Sequence, residues 1–389
     1  MLHVLVAHNY YRHPGGEDAV YEATGSLLEA RGNRVTRFTA HNDATASMSR
    51  PALAKAALWN RDVRLRLRAT MRAGRPNVAH FMNTFPLISP AAYYTARDEG
   101  VPVVQTLHNY RLFCVNGLLF HEGRVCEDCA GKSVSWHGAV RGCYHNSRAA
   151  SAVAAAVSGF HRLIGTWSAE VDIYIALTEF ARRKFLDCGL PASKVVVHPN
   201  FLHNDPGSGT GAGGYALFAG RLSAEKGLSV LLDAWQKLGG KTTLKIAGEG
   251  PLAAQAASQS RKSVGIEYLG PCSSAEILAL MRDAAFLVLP SECYEGLPMA
   301  IVEAFASGLP VIAAGHGSMS TLIDHGRTGL HFRPGDSEDL AANLQWAFSH
   351  PAVLARMRTE ARAEFEALYT AEKHYRGLVE IYERAMSGN

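Results

Sequence analysis

The amino-acid sequence predicts an α/β protein with two doubly wound, Rossmann-like domains facing a central cleft. Its 389 residues exceed what one hydrophobic core usually supports. Short β-branched runs alternate with helical stretches, which is typical of a parallel sheet covered on both faces. This alternation occurs once before and once after a Gly-, Ser- and Pro-rich segment. In open parallel sheets ligands bind at the carboxyl ends of strands, so we expect the functional residues there.

The two series of strands divide the chain. VLVA, VPVVQTL and DIYIAL belong to the first series and predict an N-terminal domain over residues 1–200, with a cysteine-containing insertion at 110–146. Residues 201–214 offer little to bury and predict a linker. YALFAG, AFLVLP and PVIAA belong to the second series and predict a C-terminal domain over 215–370. We expect the last helix, 371–389, to pack back on the N-terminal domain.

Composition narrows the class of protein. With 48% hydrophobic residues, 19% charged residues and a net charge of +4, the chain is typical of a globular protein and not of a nucleic-acid binder. Met1 runs directly into the strand-like LHVLVAH, so we expect no secretion signal and a cytoplasmic location. The Ala-rich stretch Ser147 to Trp167 is too weak in Leu, Ile and Phe to predict a membrane span.

The first strand ends in a glycine-containing turn, AHNYYRHPGGEDAVYEA. Pro14, Gly15 and Gly16 predict a tight turn, and Glu17 and Asp18 begin a helix. Backbone N–H groups in such a turn can approach an anion closely. The alternative is a plain turn followed by an acidic first helical turn. Only a glycine pair is present instead of G-x-G-x-x-G, which disfavours a nicotinamide site.

The first strand of the second domain leads into FAGRLSAEKGLSVLLDAW. Gly220 lets the chain turn, Arg221 follows the strand, and Lys226 lies at the entry of the next helix. Two cations beside a helix N-terminus suit a diphosphate. The alternative is a pair of solvated loop cations.

A second segment, SECYEGLPMAIVEAFASGLPVIA, follows the buried strand AFLVLP. Pro298 is a favoured first helical residue, so we expect the helix to begin near Leu297. This places Glu295 before the helix and Glu303 inside it. Ionised carboxylates accept hydrogen bonds from vicinal hydroxyls, and the free N–H groups of the first helical turn suit a phosphate. The alternative makes Glu295 a partner of the helix dipole and Glu303 a surface residue.

Together, the PGGED, GRLSAEKG and EGLPMAIVEAFASGLPV segments resemble glycosyltransferase family 4, and the resemblance covers nearly the whole chain. Its polysaccharide-associated members are the most similar. The resemblance implies the two-domain GT-B fold and a retaining hexosyltransferase that moves a sugar from a nucleotide-diphosphate donor. The implied partners are that donor and a carbohydrate or lipid-linked acceptor, with no nucleic acid and no cofactor for catalysis. No Asp-x-Asp is present to hold a metal beside the diphosphate.

The resemblance also implies roles for individual residues. Arg221 and Lys226 would hold the donor diphosphate and stabilise the leaving group. Glu303 would bind the ribose hydroxyls and Glu295 the hydroxyls of the transferred sugar. His108, after VPVVQTL, matches an active-site histidine near the donor sugar. A lone histidine at a strand end is otherwise more often a structural hydrogen-bonder.

Other implied contacts involve the backbone. Gly15 and Gly16 would lie against the phosphates or the acceptor. Many relatives have Gly-Phe-Gly-Leu where this chain has Gly-Leu-Pro-Met, and a proline cannot donate an N–H. Phosphate contacts beside Gly296 must therefore come from Leu297, Met299 or Ala300. Asn109 follows His108 where an acidic residue is common, which leaves a proton-transfer role for that pair in doubt.

Rival functions remain open from the sequence. A sugar-nucleotide epimerase or a phosphorylase would use the same fold, and a non-catalytic sugar-nucleotide-binding protein would bind the donor without releasing the nucleoside diphosphate. A nicotinamide oxidoreductase is disfavoured, although Asp43 after the second strand superficially suits a ribose.

Two further segments predict binding. Lys55 to Arg75 concentrates arginines with Leu and Trp59, which favours peripheral contact with an anionic inner membrane surface; a solvated helix face is the alternative. The insertion holds a Cys-x-x-Cys pair flanked by single cysteines. In a reducing cytoplasm this clustering favours a structural zinc over disulfides, with free thiols as the alternative. The predicted zinc ligands are Cys114, Cys126, Cys129 and Cys143, with His121, His137 and His145 as substitutes.

Overall fold

The computed structural model describes residues 1–13, 15–240 and 242–388. The chain forms two compact units. Unit 1 comprises Met1–Leu119, Cys126–His203 and Ala371–Asn389, and unit 2 comprises Phe120–Val125 and Asn204–Thr370.

The strands number fourteen within the described residues. In chain order they are β1 (His3–Tyr10), β2 (Arg34–His41), β3 (Val78–Asn83), β4 (Val103–Leu107), β5 (Phe120–His121), β6 (Arg124–Val125), β7 (Ile173–Ala176), β8 (Val195–Val197), β9 (Ala216–Ala219), β10 (Leu244–Ala247), β11 (Ile266–Gly270), β12 (Phe286–Leu289), β13 (Val311–Ala314) and β14 (Gly329–Phe332).

The α-helices alternate with these strands. In chain order they are α1 (Gly16–Ala30), α2 (Arg50–Leu58), α3 (Arg61–Gly74), α4 (Ala91–Asp98), α5 (Trp136–Arg141), α6 (Arg148–Leu163), α7 (Thr166–Ala169), α8 (Glu179–Asp187), α9 (Leu228–Lys237), α10 (Ala253–Lys262), α11 (Ser274–Asp283), α12 (Met299–Ala306), α13 (Met319–Leu322), α14 (Ser337–Ser349), α15 (Pro351–Leu368) and α16 (Ala371–Ser387).

Each unit is built around one six-stranded parallel sheet. The strand order is β2-β1-β3-β4-β7-β8 in unit 1 and β11-β10-β9-β12-β13-β14 in unit 2, and β5 and β6 form a separate antiparallel pair. Helices cover both faces of such a sheet, so its central strands are largely apolar; in β1, Val4, Leu5 and Val6 are completely buried. The predicted fold class of two doubly wound units is confirmed.

The strand order of unit 2 determines where a ligand site can form. β9 lies between β10 and β12, and the chain order reverses direction at this strand. The loops after β9 and β12 therefore leave the sheet side by side at its carboxyl edge. Such a switch point is the usual ligand site of open α/β sheets.

The final helix, α16, contributes to the core of unit 1. Leu378, Ile381 and Tyr382 pack in one hydrophobic cluster with residues of β1, β3, β4 and β7. The Tyr382 hydroxyl lies 2.8 Å from His80 Nδ1, and His374 Nδ1 lies 2.9 Å from the carbonyl oxygen of Pro199. The last segment of the chain is thus an integral part of unit 1.

The Gly-rich segment at 201–214 is not a free tether. Gly209, Gly211 and Gly213 donate backbone hydrogen bonds to the carbonyl oxygens of Ser307, Arg282 and Asp283, at 2.9 to 3.0 Å. A Cβ atom on Gly209 would lie 2.0 Å from the Arg282 oxygen. The glycines therefore permit close backbone contact with the rest of unit 2, to which they belong, although they bury no side chains.

Among the residues that the structure describes, no helix is both long enough and apolar enough to cross a bilayer. The Ala-rich stretch Ser147 to Trp167 forms α6 and the start of α7.

Buried histidines around α16 make unit 1 sensitive to acid. Burial lowers the pKa of His80 to about 3 and that of His198 to about 4, and it also lowers the pKa of His374. The unfolded chain takes up protons on these side chains below pH 6.5, whereas the folded chain does not. Stability is therefore complete above the unfolded pKa and is lost as the pH falls.

We expect the free energy of unfolding to fall between pH 6.5 and 5, by up to about 1.4 kcal/mol per pH unit for each buried histidine. Urea unfolding at several pH values measures this slope. His198→Gln should reduce it, and the exposed control His203→Gln should not. An unfolding free energy that is constant over this range would contradict the assignment.

Candidate active site

A partly buried ion pair forms at the switch point of unit 2. Lys226, in the loop after β9, lies with its Nζ 2.6 Å from Oε1 of Glu295, in the loop after β12. The Ser291 hydroxyl donates to the same carboxylate oxygen at 2.7 Å, and His316 Nε2 lies 2.8 Å from the Ser291 carbonyl oxygen. Two residues predicted to bind different parts of one ligand are thus in direct contact.

The two loops can approach each other because of a glycine. Gly227 has a φ of +69°, and a Cβ atom there would lie 1.9 Å from the carbonyl oxygen of Pro290. Beside it, the backbone N–H of Glu292 donates to the Glu225 carbonyl oxygen at 2.9 Å. The backbone contact places Lys226 next to Glu295, and any side chain at position 227 would push the loops apart.

The pair keeps both side chains charged. Burial opposes the charge of Lys226, but the Glu295 carboxylate outweighs it and raises the lysine pKa. Burial likewise opposes the charge of Glu295, but Lys226 and the Ser291 hydrogen bond lower its pKa. Removing either partner would take away the opposite charge that stabilises the other in its partly buried position.

Arg221 supplies a second cation at the same edge of the sheet. It is exposed and follows Gly220, whose φ is +155°. Within the part of the chain that the structure describes, the Arg221 guanidinium has neither a hydrogen bond nor an ion pair. Unlike Lys226, Arg221 therefore carries a positive charge that has no partner among the described residues. Arginine can bind a phosphate through two parallel N–H donors.

Helix α12 begins two residues later than the sequence predicts. Pro298 is its N-cap, with φ −63° and an extended ψ of 116°, and Met299 is its first residue. We predicted a start near Leu297 with Pro298 as the first helical residue, so the predicted start is early by one to two residues. The N–H groups of Met299 and Ala300 lack partners within the helix and are available to an anion.

The other residues of this loop have different environments. Gly296 is half-buried, and the Leu297 side chain is buried. Glu303 is half-buried in α12, and burial raises its pKa. Its carboxylate makes no side-chain hydrogen bond within the described residues. A carboxylate shielded from water in this way is suited to accept hydrogen bonds from ligand hydroxyls.

A second polar cluster lies at the carboxyl edge of the sheet in unit 1. Glu17 accepts hydrogen bonds from the Tyr11 hydroxyl at 2.8 Å and from Asn109 Nδ2 at 2.9 Å. Asp18 contacts His8 Nε2 at 2.8 Å and accepts from the Gly15 backbone N–H at 2.7 Å. The Asp18 carboxylate therefore already has hydrogen-bond partners within the protein.

The turn after β1 has two exposed glycines. Gly15 is the N-cap of α1 and Gly16 its first residue. The predicted role of Pro14 in this turn lies outside the described residues. Since the Gly15 N–H is used by Asp18, an anion would meet this turn chiefly through the following helical N–H groups.

His108 directly follows β4. Its Nε2 is buried, with no hydrogen-bond partner in the described chain. Burial lowers the pKa of His108 more than the nearby Glu17 charge raises it, so the ring is neutral at physiological pH. The side-chain amide of the next residue, Asn109, donates a hydrogen bond to Glu17. His108 can therefore exchange a hydrogen bond with a ligand but does not act as a cation.

The basic segment from Lys55 to Arg75 forms two helices, α2 and α3, separated by Trp59 and the α3 N-cap residue Asn60. Several of its arginines are paired with α4. Arg64 and Arg68 contact Asp98 at 3.0 and 2.7 Å, and Arg68 and Arg72 contact Glu99 at 3.1 and 2.9 Å. The net positive charge of this surface is thus lower than the sequence indicates.

All seven cysteines are free thiols. No group of three or more Cys, His, Asp or Glu side chains in the described residues is arranged to hold a metal ion. The predicted zinc ligands in the insertion consequently stay a prediction.

Two family models match the chain in succession. Glycosyltransferase Family 4 matches residues 14–205, and Glycosyl transferases group 1 matches residues 213–350. Together they span most of the sequence. The chain belongs to glycosyltransferase family 4.

Individual relatives agree with this family. The chain is 29% identical over 232 residues to the amylovoran biosynthesis glycosyltransferase AmsK of Erwinia amylovora, covering 56% of this chain and 57% of AmsK. It is 30% identical over 178 residues to a glycogen synthase of Mycobacterium tuberculosis, covering 44% and 43% of the two chains. The chain spans about half the length of the curated relatives it matches.

Solved structures show the same fold over almost the whole chain. Anabaena HepE in complex with UDP and glucose gives a TM-score of 0.69 at 17% identity, covering 98% of this chain and 99% of HepE. Sucrose-phosphate synthase from Thermosynechococcus elongatus gives 0.72 at 15% identity, covering 99% and 100%. These GT-B neighbours establish the fold class at low sequence identity.

The contact at Gly227 predicts a specific sensitivity. Gly227→Ala should lower the free energy of unfolding by about 2 to 4 kcal/mol, because the new methyl group would overlap the Pro290 oxygen. Gly239 is a matched control: it has a similar φ of +67° but nothing within 4 Å of its Cβ position. Gly239→Ala should cost only about 1 kcal/mol, from backbone strain alone. Equal losses in urea unfolding would show that the loop contact is unimportant.

Proposed function

We propose that this protein is a retaining glycosyltransferase of the hexosyltransferase type. It moves a sugar from a nucleotide-diphosphate donor to an acceptor hydroxyl in polysaccharide or glycolipid assembly. The single observation that carries the proposal is the arrangement at the switch point of unit 2, where an uncommitted Arg221 and the Lys226–Glu295 pair lie at one sheet edge. The AmsK relative and the UDP and glucose bound to HepE support the same class of reaction.

Arg221 and Lys226 act on the leaving group. As the bond between the sugar and the diphosphate breaks, negative charge accumulates on the phosphate oxygens. Positive charges held in place before the reaction stabilise this state more than the intact donor. Lys226 is held by Glu295, and the N–H groups of Met299 and Ala300 add further donors.

The two glutamates recognise hydroxyl groups. Glu303 is shielded from water and without a side-chain partner in the described chain, so it accepts hydrogen bonds from the ribose hydroxyls of the nucleotide. Glu295 uses Oε1 for Lys226 and Ser291, and it binds the transferred sugar through its carboxylate. Glu295 therefore has two functions: it binds the transferred sugar of the donor, and it holds Lys226, which stabilises the leaving diphosphate.

The polar cluster of unit 1 serves the sugar and the acceptor. The neutral His108 offers Nε2 to a hydroxyl. Gly15, Gly16 and the first turn of α1 present N–H groups to an anionic or hydroxylated group. For retention, we propose attack of the acceptor hydroxyl from the face that the diphosphate leaves, because no side chain of the proposed site is a convincing nucleophile for a covalent intermediate.

An epimerase or a phosphorylase would use the same donor contacts. Incubating the donor with and without an acceptor, followed by product analysis, separates these reactions from glycosyl transfer. A non-catalytic binding protein would bind the donor without ever releasing the nucleoside diphosphate.

Replacing each cation should impair turnover more than donor binding, since both contacts strengthen as the bond breaks. We expect Arg221→Ala and Lys226→Ala each to lower kcat on the order of 100-fold, by analogy with the loss of an oxyanion-hole donor. Lys237→Ala, an exposed lysine in α9 of the same unit, is the control and should keep wild-type turnover. Wild-type turnover in Lys226→Ala would make the leaving-group assignment wrong.

The glutamates should separate binding of the sugar from binding of the nucleotide. Glu303→Ala should weaken calorimetric binding of the donor and the free nucleoside diphosphate alike, because both contain the ribose. Glu295→Ala should impair sugar turnover but leave binding of the free nucleoside diphosphate nearly intact. Normal nucleotide binding by Glu303→Ala would exclude its ribose role.

We also propose that the protein binds peripherally to the anionic inner face of a membrane, near a lipid-linked acceptor. Arg61, Arg66 and Arg75 in and beside α3 are exposed and are not among the arginines paired with α4. Exposed basic residues near an anionic surface add about 1 kcal/mol each.

Sedimentation with liposomes at low salt measures this association. More protein should pellet with anionic than with neutral vesicles, and the triple variant R61E/R66E/R75E should lose the difference. A matched triple variant elsewhere, R261E/K262E/R333E in unit 2, should retain it. Equal recovery in the supernatant with both vesicles would rule the membrane contact out.

A further inference from the structure

An open cavity lies in unit 1 at the carboxyl ends of β3 and β4. It is lined by the ends of both strands, by the loops that follow them, and by α4, α6 and α7. It encloses about 600 Å³ of space that no atom fills, including space open to the solvent. Apolar and aromatic side chains form much of the wall, among them Phe85, Leu107, Val157 and Trp167. The carboxyl edge of a parallel sheet is where such folds bind their ligands.

Most polar groups in the wall of this cavity already have partners inside the protein. The Tyr93 hydroxyl donates to Gln105 Oε1 at 2.5 Å, and Gln105 Nε2 donates to the Thr106 carbonyl oxygen at 2.7 Å. Asn83 Nδ2 donates to the Asn9 carbonyl oxygen at 2.8 Å. These side chains shape the cavity, and their hydrogen bonds do not depend on a ligand.

Two other groups in the wall lack such partners. His108 Nε2 is buried and has no hydrogen-bond partner among the described residues. Within the part of the chain that the structure describes, the half-buried Arg111 guanidinium makes no ion pair, and its hydrogen bond to the Val115 carbonyl oxygen is long, at 3.4 Å. The cavity therefore offers one neutral ring nitrogen and one positive charge to a ligand.

The Arg111 side chain is held in place although it has no carboxylate partner. Its guanidinium carbon lies 4.8 Å from the centre of the Phe85 ring and 5.2 Å from the centre of the Tyr144 ring. The Arg111 backbone N–H donates to Asn109 Oδ1 at 3.1 Å. Contacts with aromatic faces orient a guanidinium without using its N–H donors. Arg111 is thus a preorganised cation at the cavity.

We propose that this cavity binds the acceptor of sugar transfer and that Arg111 selects an acidic acceptor by binding its phosphate or carboxylate group. Both groups present two oxygens that accept parallel N–H bonds from one guanidinium. A half-buried cation without an opposite charge gains most from a ligand that supplies one. The inference rests on the proposed transferase function, because it names the class of acceptor.

The cavity is a second anion site, separate from the proposed donor site. The cations assigned to the donor diphosphate, Arg221 and Lys226, belong to unit 2, whereas Arg111 belongs to unit 1. In the cavity, His108 Nε2 can exchange a hydrogen bond with a hydroxyl while Arg111 holds the acidic group. Two fixed contacts of different chemistry would restrict the orientation of the acceptor.

Calorimetric titration with matched sugars tests the proposal. The probes are the 6-phosphates, the uronic acids and the neutral methyl glycosides of glucose, galactose and mannose. The wild type should bind at least one acidic probe more tightly than the neutral probe of the same sugar. Arg111→Ala should weaken binding of that acidic probe on the order of 10-fold or more and leave the neutral probe unchanged. The preferred probe distinguishes a phosphate from a carboxylate.

Two further variants serve as controls for this measurement. Arg183→Ala removes an exposed arginine of α8 in the same unit and should bind every probe as the wild type does. Arg111→Gln removes the charge but keeps a long polar side chain, so it covers the case in which the alanine variant does not fold. It should show the same selective loss of the acidic probe.

Glu303→Ala separates this inference from the proposed function. It should weaken binding of whichever of UDP, GDP and ADP the wild type binds best, and leave the acidic probe unaffected; Arg111→Ala should do the reverse. Weaker nucleotide binding by Arg111→Ala, equal probe affinity in that variant and the wild type, or no binding of any acidic probe at about 1 mM would each overturn the inference. Normal nucleotide binding by Glu303→Ala, together with loss of the probe in Arg111→Ala, would contradict only the proposed donor site.

Discussion

The close approach of two backbone segments in unit 2, Gly227 against Pro290, is the constraint on which the candidate active site depends. The strand order makes β9 and β12 neighbours, and the glycine lets their exit loops touch. Only then can Lys226 reach Glu295 at 2.6 Å, and only then does the pair compensate the cost of burying two charges. Backbone geometry therefore determines the electrostatics of the site.

This pairing distinguishes Lys226 from Arg221. Arg221 has no hydrogen bond or ion pair within the described residues, whereas Lys226 is paired with the Glu295 carboxylate, which also accepts a hydrogen bond from Ser291. Holding the lysine in place costs energy during folding and not during the reaction, which is the advantage of a preorganised site. Glu303, without a side-chain partner among the described residues, is the complementary case of a group left ready for a ligand.

In unit 1 the polar residues are used differently. The Asp18 carboxylate is hydrogen-bonded to His8 and to the backbone at the N-terminus of α1. The Glu17 carboxylate accepts hydrogen bonds from Tyr11 and Asn109. His108 has a buried Nε2 without a partner in the described chain, and so has His8 at Nδ1, so each ring keeps one nitrogen for a further hydrogen bond.

The sequence by itself determined the fold class and the segments of the site, because β-branched runs, glycines and prolines act locally on the backbone. It could not show that Lys226 and Glu295 form a pair, that Ser291 and His316 support it, or that Asp98 and Glu99 neutralise arginines of α3. It also placed the start of α12 near Leu297, whereas Met299 is the first helical residue. These features depend on contacts between residues distant in the chain, and only the tertiary structure decides which charged groups meet.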